Sequence, residues 1–245
     1  EGEQAQQLFA DAQQLLAQII AEQWLTARAV IGFFPAQRVH EEDITLYTDE
    51  SGSTILTTLH HLCLQTSKPQ GKAHYSLADW IAPATSGIAD YLGAFAVTAG
   101  LGIDERVAAF EREHDDYRAI LLKALADRLA EAYAERMHQR VRKEFWGYAA
   151  DETLDNQALI AEQYRGIRPA PGYPACPDHT EKGLLWQLLQ PELNADINLT
   201  EYFAMTPTAA VSGWYFSHPE ARYFAVSRLG QDQVADYAQR KGWKV

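Results

Sequence analysis

The sequence predicts an α+β fold: a single domain with a mostly antiparallel, twisted β-sheet, one long helix and several shorter helices. Three observations carry that prediction. Short runs rich in β-branched and aromatic residues follow one another closely around Glu50-Ser-Gly-Ser53, the spacing of antiparallel neighbours. Apolar residues then recur at steps of three and four from Asp104 to about Trp146, the period of a long helix with one buried side. No β-α-β repeat follows the Gly100-x-Gly102 that opens it, and Glu105 stands where a dinucleotide fingerprint needs its third glycine, so a Rossmann fold is rejected.

Taken in order, residues 2 to about 23 carry Leu8, Phe9, Ala12, Leu15, Leu16, Ile19 and Ile20 at helical steps and predict an amphipathic helix packed on the core. Ala29-Val-Ile-Gly-Phe-Phe34 reads as a buried strand ended by Pro35, with Asp43 to Thr48 and Thr54 to Leu59 completing a meander. His60 and His61 would point to opposite faces of a strand, which disfavours a shared metal ion. Ser67 to Lys72 reads as a polar turn, Tyr75 to Ile81 as a short extended segment, and Asp90 to Thr98 as a second buried strand. Within the long helix, His114, Asp115 and Asp116 fan out by about 100° per residue and read as solvated surface. Glu131 falls at the edge of the apolar stripe, where its carboxylate can face a cleft.

Asp155 or Asn156 caps a short helix through Glu162 and Tyr164, which brings Glu162 next to Arg168. Lys182 to Leu189 is helical, Asn198 to Met205 reads as a strand, and Ala209 to Phe216 pairs with Arg222 to Ser227 as a hairpin across Ser217-His-Pro-Glu220. That pairing puts Tyr223 and Phe224 on opposite faces of one strand. The last helix runs from about Gln231 to Arg240 and stops at Gly242.

Composition narrows the function. Of 245 residues, 47% are hydrophobic and 22% charged, the profile of a globular protein with a substantial core. A net charge of −12 argues against a nucleic-acid surface, and nothing reaches the length of a membrane span. Cys63 and Cys176 form no CxxC pair, so neither a disulfide framework nor a thiolate zinc site is expected, and a reducing cytoplasm fits. Glu1 follows neither a methionine nor a leader, which leads us to expect a piece of a longer polypeptide. No nucleophile, base and orienting group fall in a catalytic pattern, which points to a binding domain.

The binding chemistry concentrates in Tyr164 to Lys182. Pro169, Pro171, Pro174 and Pro177 fix their own φ and bias the preceding residue away from helix, leaving a stiff extended loop. Ala170, Gly172 and Tyr173 would offer bare backbone carbonyls, and Arg168 a planar fork that matches a carboxylate. Such a loop suits a small polar ligand that carries a carboxylate.

Arg168-Pro-Ala-Pro-Gly-Tyr-Pro-Ala-Cys-Pro-Asp-His-Thr-Glu-Lys182 resembles the signature of the activation domain of cobalamin-dependent methionine synthase. Gly32-Phe-Phe-Pro-Ala36, Tyr91 to Val97, His114-Asp-Asp-Tyr117, Leu125 to Glu131 and Val211 to Pro219 extend the resemblance over nearly the whole chain. It implies a module that binds S-adenosylmethionine and presents its methyl group to cob(II)alamin, held by a cobalamin-binding domain of the same polypeptide. Reduced flavodoxin or a flavoprotein reductase would supply the electron. The fragment alone would not catalyse the transfer from 5-methyltetrahydrofolate to homocysteine. Position by position it implies that Arg168 and the backbone at Ala170 hold the ligand, with Tyr223 and Phe224 on its aromatic side and Tyr173 and His179 toward the corrin; Glu131 and Glu162, by residue type, are the carboxylates suited to its amino groups and sulfonium. Phe224 departs from the family's frequent second tyrosine. The family's domain usually begins upstream of Glu1 with an aspartate for the ligand's amino group, and losing such a partner is expected to weaken binding by roughly tenfold or more. Two other classes stay open on the residues alone: a metal-dependent hydrolase using His60, His61, His114, Asp115 and Asp116, or a non-catalytic protein-interaction domain.

Overall fold

A computed structural model describes residues 2–66 and 73–243, so the turn expected at Ser67 to Lys72 lies outside the described residues. In chain order it comprises α1 (Glu3–Ala21), β1 (Thr26–Arg38), β2 (Asp43–Tyr47), β3 (Ile55–His60), β4 (Asp90–Leu101), α2 (Ile103–Arg112), α3 (Asp116–Arg140), α4 (Asn156–Ile160), α5 (Glu181–Leu189), α6 (Pro191–Ala195), β5 (Asn198–Leu199), β6 (Met205–Thr206), β7 (Ala210–Tyr215) and α7 (Gln231–Arg240). The main sheet has the order β3-β2-β1-β4-β7, and β5 pairs with β6. The expected meander is present: β1 pairs antiparallel with β2 through Ala36 and Leu46, and β2 with β3 through Ile44 and Leu59. The α+β expectation holds.

The chain groups into two compact units, one of residues 1–30, 96–137 and 190–211, the other of 31–95, 138–189 and 212–245. In the first, α1, α2 and α3 bury Leu15, Ile19, Val107, Phe110, Leu122 and Ala126 around Trp24. Leu8, Phe9 and Ile20, expected to pack, are exposed; Leu15 and Ile19 are the buried residues of the α1 stripe, with Ala12 packed partly buried against the same cluster. In the second unit β2 is buried at all five positions, and every other described feature of the candidate site except Glu131 lies here.

Several boundaries differ from the sequence reading. Strand β1 continues through Pro35 and is half-buried at most positions. Its pairing with β2 spans Ala36 to Arg38, so the proline's missing N–H removes no rung on that side. Tyr75 to Ile81 holds a 3₁₀ turn at Leu77–Trp80, because Ser76 and Asp79 form a reciprocal capping box. The expected continuous helix is two helices. His114 takes φ 59°, and the Asp115 carboxylate accepts the Arg118 N–H at 2.9 Å, capping a new helix where periodicity alone runs on. Gly102 opens α2 at φ 93°, with the Trp24 carbonyl 2.7 Å from where a Cβ would sit. Residues 198–206 form two short strands, with Phe203 at φ 60° between them, where one strand was expected.

Candidate functional site

The proline-rich loop is built on the edge of β7. The Ile167 N–H donates to Phe216 O and the Phe216 N–H to Ile167 O, both at 3.0 Å, and the Trp214 N–H donates to Pro169 O at 2.9 Å. Pro169 thus contributes a carbonyl where its nitrogen could not donate. Gly213 permits the approach: a Cβ there would stand 2.5 Å from Pro169 O and 3.1 Å from Ala170 Cα. This pairing displaces the expected hairpin. Residues 222–227 form no strand, because Ile167 to Pro169 already occupy that edge, and Val226 instead donates to Pro174 O at 2.8 Å.

Beyond Pro169 the loop closes on itself. Gly172, at φ 95°, donates to Cys176 O at 2.7 Å, Tyr173 to Ala170 O at 3.1 Å, and Cys176 to Tyr173 O at 2.9 Å. The carbonyls of Ala170 and Tyr173, expected to be bare, therefore each accept a bond within the loop. Ala170 is buried and Tyr173 exposed.

Arg168 stands where the loop leaves the strand edge, and its surroundings come from distant parts of the chain. The Arg168 N–H donates to the Tyr223 hydroxyl at 3.0 Å. Its Nη1 donates to the Tyr164 hydroxyl at 2.8 Å and to His138 Nδ1 at 3.3 Å, and the guanidinium lies over the Tyr164 ring at 5.6 Å. His138 is fully buried, stacked on Tyr215 at 5.2 Å and edge-on to Tyr164 at 5.0 Å. Burial first, then the Arg142 and Arg168 guanidinium groups, push its pKa well below the ordinary value. The ring is therefore neutral, with Nδ1 accepting and the proton on Nε2, which faces the Tyr148 hydroxyl at 3.4 Å. One helical turn on, the buried Arg142 grips Glu152 through Nε at 3.0 Å and Nη2 at 2.8 Å while its guanidinium covers Tyr164 at 4.4 Å. Arg142 falls in a π turn, Val141–Phe145, that ends the long helix.

The remaining expected residues divide. Tyr223 joins Arg168 through its hydroxyl, 3.3 Å from that of Tyr164. Phe224 is no longer on the face of a strand; it packs against the Leu62, Val226 and Tyr237 cluster, with Tyr75 at 6.2 Å. Helix α4 is capped by Asp155, as expected, but ends at Ile160; Glu162 follows exposed at φ 54°. Glu131 is half-buried on α3 in the other unit. His179 lies against Gly172, with its Nδ1 3.2 Å from Lys182 Nζ. Sequence reasoning missed His138, Tyr148, Arg142 and Glu152. The only signal was a histidine and an arginine four residues apart where the helical pattern fades.

The far end of the loop is anchored by a buried ionic cluster. Lys241 pairs with Glu181 and, at 3.3 Å, with Asp178, whose carboxylate also accepts the Tyr237 hydroxyl at 2.7 Å. Burial raises the Glu181 pKa despite Lys241. Nearby, Arg240 reaches Asp43 at 2.6 Å and Glu42 at 2.9 Å, and Asp43 holds His60 at 2.8 Å. His61 is buried with neither ring nitrogen bonded among the described residues, and burial drives its pKa down to about 3. Among the described residues no three His, Cys, Asp or Glu side chains converge as metal ligands, so the hydrolase alternative gains no support. Nor is any described helix long and apolar enough to cross a membrane.

An α+β binding domain, with an arginine held at the root of a proline loop, is what the fold and this cluster define. The chain belongs to the family described as vitamin B12 dependent methionine synthase, activation domain, matching it over residues 1–242. It is also similar to a solved structure titled "Crystal Structure of the MetH Reactivation Domain bound to AdoHcy". The two are 56% identical with a TM-score of 0.93, over 98% of this chain and 74% of that one.

Proposed function

We propose that this domain binds S-adenosylmethionine along the proline loop and presents its methyl group to cob(II)alamin during reductive methylation. Arg168 takes the carboxylate, Ala170 lends its backbone, Tyr223 and Phe224 form the aromatic side, and Glu131 and Glu162 are the acidic partners. Tyr173 and His179 face the corrin. The cobalamin is held by another domain of a methionine synthase polypeptide, the electron comes from flavodoxin or a flavoprotein reductase, and the setting is cytoplasmic. The observation that carries this reading is the 56% identical reactivation domain whose title names bound AdoHcy, the demethylated form of the proposed ligand. The half-buried Arg168 supports it, since its plane is held by Tyr164 and His138 before any ligand arrives. Calorimetric titration with S-adenosylmethionine tests it. Saturable binding that weakens at least tenfold in Arg168→Ala is expected, and equal binding by the variant, or none by the parent chain at millimolar ligand, would refute it.

A further inference from the structure

We infer that His138 is a positioning residue, whose Nδ1 lone pair aims the Arg168 guanidinium at the carboxylate of the bound ligand's tail. The inference rests on the ligand reading above and extends it to a residue that touches Arg168 rather than ligand. A guanidinium Nη carries two N–H groups, and Tyr164 Oη at 2.8 Å and His138 Nδ1 at 3.3 Å accept from Arg168 Nη1. Two acceptors on one nitrogen fix rotation about the guanidinium plane as well as its position. The edge of a guanidinium that matches a carboxylate with two parallel bonds is the Nε–Nη2 side, so holding Nη1 sets the direction of that edge.

The acceptor is itself immobilised. His138 is fully buried, and its ring is the outer member of a stack in which Tyr215 lies 5.2 Å away at 16° and Phe95 lies 4.6 Å beyond Tyr215 at 20°. Tyr164 closes the ring's edge at 79°, and the Tyr148 hydroxyl lies 3.4 Å from Nε2. A ring gripped on face, edge and far nitrogen presents Nδ1 in one direction. Only the neutral form can accept from Arg168, and the two flanking guanidinium groups favour that form. Tyr164 is placed in turn by Arg142, which covers its ring. The long helix, through its last turn, thereby sets the geometry of a loop residue thirty positions away.

The test uses two ligands, S-adenosylhomocysteine and 5′-methylthioadenosine, which share the nucleoside thioether and differ in the amino-acid tail. The parent chain should prefer the tailed ligand. In His138→Phe, which keeps a flat ring in the stack, affinity for S-adenosylhomocysteine should fall about tenfold with methylthioadenosine unchanged. His138→Asn can offer its amide oxygen near the position of Nδ1 and should recover most of the loss, whereas His138→Gln, whose oxygen reaches toward Nε2, should not. If Phe and Gln bind the tailed ligand like the parent, if Asn and Gln behave alike, or if both ligands weaken together, His138 does not aim Arg168. A parent chain that shows no preference for the tailed ligand refutes instead the reading on which the inference rests.

Discussion

Replacing Gly213 by alanine tests whether the loop is held by its contact with β7. The added methyl would sit 2.5 Å from Pro169 O, 3.0 Å from Phe95 Cε1 and 3.1 Å from Ala170 Cα, whereas real Cβ contacts essentially never fall below 3.0 Å. Two of the three obstacles are backbone atoms of a proline-stiffened segment, so the strain cannot relax by a rotamer change. Overpacking of this kind costs about 1–3 kcal/mol. Displacing the loop also lengthens the Trp214 N–H to Pro169 O bond, worth about 1 kcal/mol. A loss of about 2–4 kcal/mol in urea unfolding is therefore expected, together with weaker S-adenosylmethionine binding, because Arg168 is adjacent to the residue that is pushed. Gly52→Ala is the control: Gly52 has φ 64° with no atom within 4 Å of the new Cβ, so it carries backbone strain without crowding. Its stability should fall by about 1 kcal/mol with ligand binding intact. If Gly213→Ala matches the parent in both stability and binding, the loop is not seated by this contact.

Other perturbations probe the buried charges. Glu152→Ala removes the carboxylate that Arg142 grips through two nitrogens, at a guanidinium with no solvent exposure, and should cost about 3–5 kcal/mol in urea unfolding; the pair Arg142→Met and Glu152→Leu together should regain most of it. A loss below about 1 kcal/mol would place this pair with surface ion pairs. Lys241→Met leaves Glu181 and Asp178 without their shared cation and should destabilise by about 3 kcal/mol, with α7 becoming the first site of proteolysis. His61 and His138 are buried with pKa values depressed below that of the unfolded chain, near 6.5, so the unfolded state binds protons that the folded state excludes. Stability is then full above about pH 7 and falls as pH drops through about 6.5, by up to about 1.4 kcal/mol per pH unit for each histidine. Unfolding measured at pH 7.5 and 5.5 should show that slope, and His61→Phe should remove about half of it.

Local chemistry made much of the fold legible. The meander follows from β-branched runs around a turn where Gly52 takes φ 64°, the last helix from its stop at Gly242 with φ 69°, and the α4 start from Asp155. Local pattern also misled where two patterns compete. The apolar period runs unbroken past His114, yet one aspartate cap and one left-handed residue suffice to divide the helix. Arg222 to Ser227 alternates like a strand, but a strand needs an edge, and the edge of β7 belongs to Ile167 to Pro169. Leu8, Phe9 and Ile20 continue the stripe of α1 but stay exposed, since a sequence states which residues are apolar and not which of them meet a neighbour.

The sequence by itself determined the proline loop, because a pyrrolidine ring locks φ and removes a donor wherever it sits, and it named Arg168 as the group able to meet a carboxylate. Only the tertiary structure decided what holds that arginine. Tyr223 and His138 lie 55 and 30 positions from it, and neither carries a local signal of that role. Their meeting depends on the loop taking the edge of β7 and on the long helix ending in a π turn. Contacts made by closing long segments of chain leave no periodic trace in the residues that make them.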